Sequence, residues 1–117
     1  MAEADFGIKQ GTLGPPLDAV LRGADDTPQN LTNASVTFSM EHENGKIKVA
    51  TAACAVLDAA GGQVRYQWVT GDTDTPGRYR GEFIVSNLAP TPVRFPSGKS
   101  GRHPTGYIEI EVLEAVA

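Results

Sequence analysis

The clearest pattern along the chain has a period of two. In residues 35–40 small polar side chains alternate with large apolar ones, which puts Val36, Phe38 and Met40 on one face of a strand. Residues 63–68 repeat the pattern with Val64, Tyr66 and Trp68 inward. Residues 107–112 do so with Ile108, Ile110 and Val112 inward and Glu109 and Glu111 in water. In residues 78–86, Tyr79, Gly81, Phe83 and Val85 share a face. Weaker strands are expected over 5–10 and 17–22, because Gly14-Pro15-Pro16 between them forbids one continuous helix. Residues 48–60 fit two readings. A helix would gather Val49, Ala52, Ala53 and Val56 on one stripe, whereas the surrounding strands favour a strand that leads through Gly61-Gly62 into residues 64–68. The turn clusters lie between these segments, with Asn44-Gly45 as a hairpin signal. Seven or eight short strands so spaced predict an all-β antiparallel sandwich or barrel, one domain over residues 1–117.

Composition sharpens this. Gly and Pro number 13 and 8, an excess over average usage that matches many turns between short elements. The formal net charge is −4, so no large basic face awaits a phosphate backbone and nucleic-acid binding is not expected. A single cysteine, Cys54, excludes an internal disulfide and a Cys-based zinc site. No apolar run approaches the ~20 residues of a membrane helix. The acidic start, Met1-Ala2-Glu3-Ala4-Asp5, lacks the basic and apolar regions of a leader. Synthesis in the cytoplasm, with no membrane partner, is the expectation.

Motifs of chemistry are tested and set aside. The only histidines are His42, beside a turn, and His103, in a Gly/Pro-rich loop; Cys54 sits in an apolar run and reads as a small core residue. No G-x-S-x-G elbow is present. Gly98-Lys99-Ser100 resembles the end of a phosphate-binding loop, but the required earlier glycine is Val93. Gly71-Asp72-Thr73-Asp74-Thr75-Pro76-Gly77 opens like a calcium loop, yet Pro76 and Phe83 occupy ligand positions. It reads instead as a turn whose aspartates accept backbone N–H groups and whose Gly77 takes a positive φ. Asn30-Leu31-Thr32 and Asn33-Ala34-Ser35 match the glycosylation pattern and read as turn residues before a strand. No enzyme activity, cofactor or metal is expected. Trp68, on an inward face, is expected to anchor the packing, and Phe38, Phe83, Tyr79 and the turn residue Gly77 are expected to be structural anchors too.

Asp74, Gly77 and Tyr79 resemble the tyrosine corner of Ig-like domains, with a spacing one residue longer than usual. The cysteine that would follow two positions after the tyrosine is Gly81, so the fold would be held by packing alone. Several segments extend the likeness: Phe6-x-Ile8-Lys9-Gln10-Gly11, Pro15-Pro16-Leu17 with Leu21, and the run from Asn30 through Phe38. The tract from Gly62 through Phe83, then Phe95-Pro96 and Tyr107-Ile108, completes it. Together they resemble the N-terminal Ig-like domain of the phage baseplate upper protein family and its small stand-alone relatives in tailed phages.

That resemblance implies an Ig-like antiparallel β-sandwich, without a disulfide, in a tailed-phage virion structural protein. It would be made in the host cytoplasm and carried in the virion, where it docks onto other virion proteins of the baseplate or tail. Homo-oligomers are compatible with this reading. The chain ends at Ala117 directly after its last strand, which weakens an adaptor role and widens the expectation to collar or tail-associated proteins. A head decoration protein on the major capsid protein is the first alternative. A carbohydrate-binding module for host-surface glycans is a second, from another class. Expected contacts are the edge strands, the termini, the turn with Asp72 and Asp74, and the basic loop with Arg94, Lys99, Arg102 and His103.

Overall fold

A computed structural model describes residues 4–23, 27–87, 90–96 and 106–116, and every regular element within them is a β-strand. In chain order these are β1 (Phe6–Lys9), β2 (Leu17–Val20), β3 (Ser35–His42), β4 (Ile47–Ala53) and β5 (Ala55–Asp58). They continue with β6 (Gln63–Tyr66), β7 (Gly77–Ser86), β8 (Val93–Phe95) and β9 (Ile108–Leu113). The larger sheet runs β1-β9-β7-β3-β4, and β8 also pairs with β7; the smaller sheet runs β2-β6-β5. All pairings are antiparallel except that of the first strand with the last, where Phe6 lies opposite Ile110 in a parallel ladder.

The alternation foreseen for β3, β7 and β9 is what builds the core. Val36, Phe38 and Met40 meet Val85, Phe83 and Gly81 rung by rung, and Ile108 and Ile110 lie opposite Gly81 and Tyr79. All but Gly81 are buried hydrophobic side chains of the core. Phe38 stands at its centre. Its ring lies 5.1 Å from Phe83 in its own sheet, 4.9 Å from Tyr66 in the smaller sheet, and 6.1 Å edge-on from Trp68. These contacts bind the two layers face to face. Gly81 is where this packing is tightest: a Cβ there would lie 2.9 Å from both the Phe38 ring and Ile110 Cδ1. The bare Gly81 thus makes room for an aromatic ring.

Three expectations are corrected. Residues 48–60 are extended, but not as one strand: the run breaks at Cys54 into β4 and β5, which belong to different sheets. The Cys54 N–H still donates to the Val36 carbonyl at 3.0 Å, and the next residue, Ala55, already pairs with Arg65 of β6. The described strands number nine rather than seven or eight, because this split and the three-residue β8 add to the expected set. The strand expected to reach Trp68 ends at Tyr66. Trp68 is buried all the same, because its indole N–H donates to the Pro15 carbonyl at 3.1 Å and its ring packs on Tyr66 at 5.2 Å.

The turns are held as their sequences require. Gly45, in the hairpin between β3 and β4, has φ 91°, and its N–H donates to the His42 carbonyl. Gly77 has φ 137°. Thr51 is less ordinary, a β-branched residue at φ 45°, where such residues are rare. It lies in a bulge of β4, and its N–H is taken by Ser39 Oγ at 2.9 Å.

Candidate functional site

The turn at residues 71–77 divides into an inner and an outer half. Asp72 is 8% exposed. Its Oδ2 accepts the Tyr66 hydroxyl at 2.6 Å and the Val69 N–H at 3.0 Å, so its charge is spent on the turn itself and little of it faces a partner. Sequence reasoning placed it among contact candidates because an Asp-Thr-Asp turn looks solvated. The signal that could have placed it inside is Tyr66, an inward tyrosine six residues earlier whose hydroxyl needs an acceptor.

Asp74 is the outer half. It pairs with Lys48 of β4, and the same carboxylate accepts the Thr75 hydroxyl. Donation by Lys48 is the main reason its carboxyl titrates below the ordinary range, and the Lys48 ammonium is raised in turn, mainly by the same bond. Both groups are in contact with water, so the pair fixes geometry more than it adds stability. Below the turn, Tyr79 donates its hydroxyl to the Thr75 carbonyl at 2.5 Å. The corner expected between tyrosine and preceding turn is thus closed.

Arg94 lies on β8 and pairs with Glu82 at 2.5 Å; Lys99, Arg102 and His103 fall outside the described residues. The remaining chemistry-bearing side chains are committed internally. The His42 Nδ1 accepts the Asn44 N–H at 3.1 Å, which leaves Nε2 to donate to the Pro76 carbonyl at 3.2 Å. Cys54 is half-buried, and burial pushes its thiol up to about 12, a poor nucleophile at neutral pH. Among the described residues no three His, Cys, Asp or Glu side chains are grouped to hold a metal ion.

Lys48 connects Asp74 to an exposed flank of the molecule. β4 ends the larger sheet and β5 ends the smaller one, so residues 47–58 form one ribbon along a flank of both layers. Among the described residues no strand pairs with its far side. All four residues of β5 are exposed, and Ile47, Leu57 and Val56 keep 60%, 47% and 36% of their surface in water. No charged residue occurs from position 49 to position 57. The opposite flank, formed by β1 and β2, carries Lys9, Asp18 and the Pro15-Pro16 pair, which are the usual guards of an open edge. The ribbon's own devices are the bulges at Thr51 and at Leu57. With the turn at Asp74, this ribbon is the candidate site, and what it offers chemically is backbone N–H and C=O groups between apolar side chains.

No protein-family model, curated protein or solved structure matches the chain.

A pH dependence follows from the interior. Burial raises the Cys54 thiol from 9.0 to about 12. Burial, followed by the bond to Asp72, raises the Tyr66 phenol above its ordinary 10.0, and burial raises that of Tyr79. Between these values the folded chain keeps protons that the unfolded chain has released, so stability falls as pH rises. Urea midpoints are expected to be level up to about pH 9 and then to drop steadily toward pH 12. A midpoint that stayed level or rose across this window would show these groups to be wet. Alkylation of Cys54 at pH 8 is expected to be far slower than that of a free thiol, because so little thiolate is present.

Proposed function

We propose that the two sheets form an Ig-like sandwich and that the chain is a non-enzymatic docking module of a tailed-phage particle, associated with the tail or baseplate. Three features support the fold. The order β9-β7-β3-β4 opposite β2-β6-β5 is the order G-F-C-C′ opposite B-E-D of such domains. Tyr79 sits at the start of the strand that would be F and bonds back to its turn. Gly81, two residues on, replaces the usual cysteine and is filled by the Phe38 ring.

The docking role is carried by one observation, the exposed, unpaired flank of the β4–β5 ribbon beside the exposed Asp74. Open strand edges recruit other strands, and this one carries no charge or proline from position 49 to position 57. The phage setting rests on the sequence resemblance over residues 64–83. A glycan-binding reading has less to stand on. Sugar recognition wants exposed aromatic faces, whereas Phe38, Tyr66, Trp68, Tyr79, Phe83 and Phe95 are buried. Phe6 packs on Trp68, and the Arg80 guanidinium lies 4.8 Å above the ring of Tyr107.

Immunogold electron microscopy of the parent particles tests the reading. Label at the tail or baseplate is expected. Label spread over the head would move the role to capsid decoration, and unlabelled particles would overturn both.

A further inference from the structure

We infer that the β4–β5 ribbon is a two-fold interface, paired antiparallel with the same ribbon of a second copy of this chain. The inference rests on the docking reading and names the occupant of that edge. Its backbone side asks for an extended strand, since unpaired N–H and C=O groups in a row are satisfied by another row. All four residues of β5 are exposed, and Leu57 and Val56 keep 47% and 36% of their surface in water.

The distribution of charge selects the occupant. Lys46 stands at one end of the ribbon, beside the Lys48–Asp74 pair, and Asp58 at the other, and nothing charged lies from 49 to 57. An antiparallel pairing about a two-fold axis therefore sets Lys46 of each copy against the Asp58 end of the other, twice over. The uncharged middle, with Ala53 and Ala55 exposed on it, meets itself and permits close approach of the backbones. An isologous contact of this kind needs only one surface to be self-complementary.

The contact is modest. A ribbon of this length spans roughly 40 Å at ~3.3 Å per residue, and pairing two of them covers on the order of 800 Å², at the weak end of specific interfaces. Dissociation constants of about 10–100 μM are expected in solution, with strength in a particle coming from repetition.

Sedimentation of the full chain between about 10 μM and 1 mM tests this. A reversible monomer–dimer equilibrium is expected. Ala53→Lys and, separately, Ala55→Lys place a charge on the exposed side of the ribbon; each is expected to leave the melting temperature unchanged and weaken the dimer at least tenfold. Lys46→Glu is expected to weaken it about threefold to fivefold at low salt, with the difference fading at high salt. A chain that stays monomeric at 1 mM, dimers indifferent to both lysine substitutions, or open-ended polymers would each overturn the two-fold pairing. A monomer that nevertheless labels the particle would overturn this inference and leave the docking role standing, whereas a dimer absent from particles would do the reverse.

Discussion

Trp68→Ala is expected to destabilise the protein by about 3–5 kcal/mol, a large part of the 5–15 kcal/mol typical of a domain. The indole is 1% exposed and lies between Phe6, Phe38 and Tyr66, at centroid distances of 5.8, 6.1 and 5.2 Å. Those rings come from different elements, held by strands that are themselves hydrogen-bonded, so they cannot collapse fully into the space an alanine leaves. The Pro15 carbonyl also loses its donor. A fall in melting temperature on the order of 15 °C is expected. Trp68→Phe keeps most of the volume and loses the N–H, and is expected to fall by less than half as much. If Trp68→Ala melted like the wild type, the indole would not be holding the two layers together.

Gly62→Ala is expected to rank second, at about 3 kcal/mol or more. Gly62 has φ 69°, where an L side chain crowds its own backbone. Around it, a Cβ would lie 2.7 Å from the Leu21 carbonyl oxygen, 2.8 Å from that of Gln29 and 3.1 Å from the Gln29 nitrogen. All three are backbone atoms, and none can rotate away. They are also tied together: Leu21 N–H donates to Gly62, and Gln29 N–H donates to Leu21, both at 2.8 Å. Moving them disturbs buried Leu21 and Leu31. Gly11→Ala is the control, because Gly11 has φ 79° with no atom within 4 Å of the added carbon. It isolates the backbone strain, and chemical denaturation of both variants gives the close approach by difference. Equal losses in the two would mean that the chain around Gly62 yields easily.

Much of the fold was legible because β3, β9 and the first half of β7 each have one buried and one wetter face. A period of two is what a half-buried strand writes into a sequence, and Phe38, Phe83 and Ile110 follow it. The bond from Tyr79 back to its turn was legible for a local reason: donor and acceptor, Tyr79 and Thr75, are four residues apart. The crossing at Cys54 was not. A ribbon on the flank buries so little that residues 50–58 carry hardly any alternation, and the same alanines suit a helix. β8 is too short to show a period, and the parallel pairing of β1 with β9 joins the two ends of the chain, beyond the reach of any local pattern. For the candidate site the same physics worked against reading. Asp74 was found by its turn, but the exposed ribbon reads like core, because apolar residues waiting for a partner look like apolar residues already buried.

The central claim, that this chain is a docking component of a phage particle, is tested most directly by mass spectrometry of intact, purified particles. Peptides of this chain are expected at a fixed stoichiometry to the other structural proteins, surviving a wash in high salt. Their absence from particles that are otherwise complete would contradict the account.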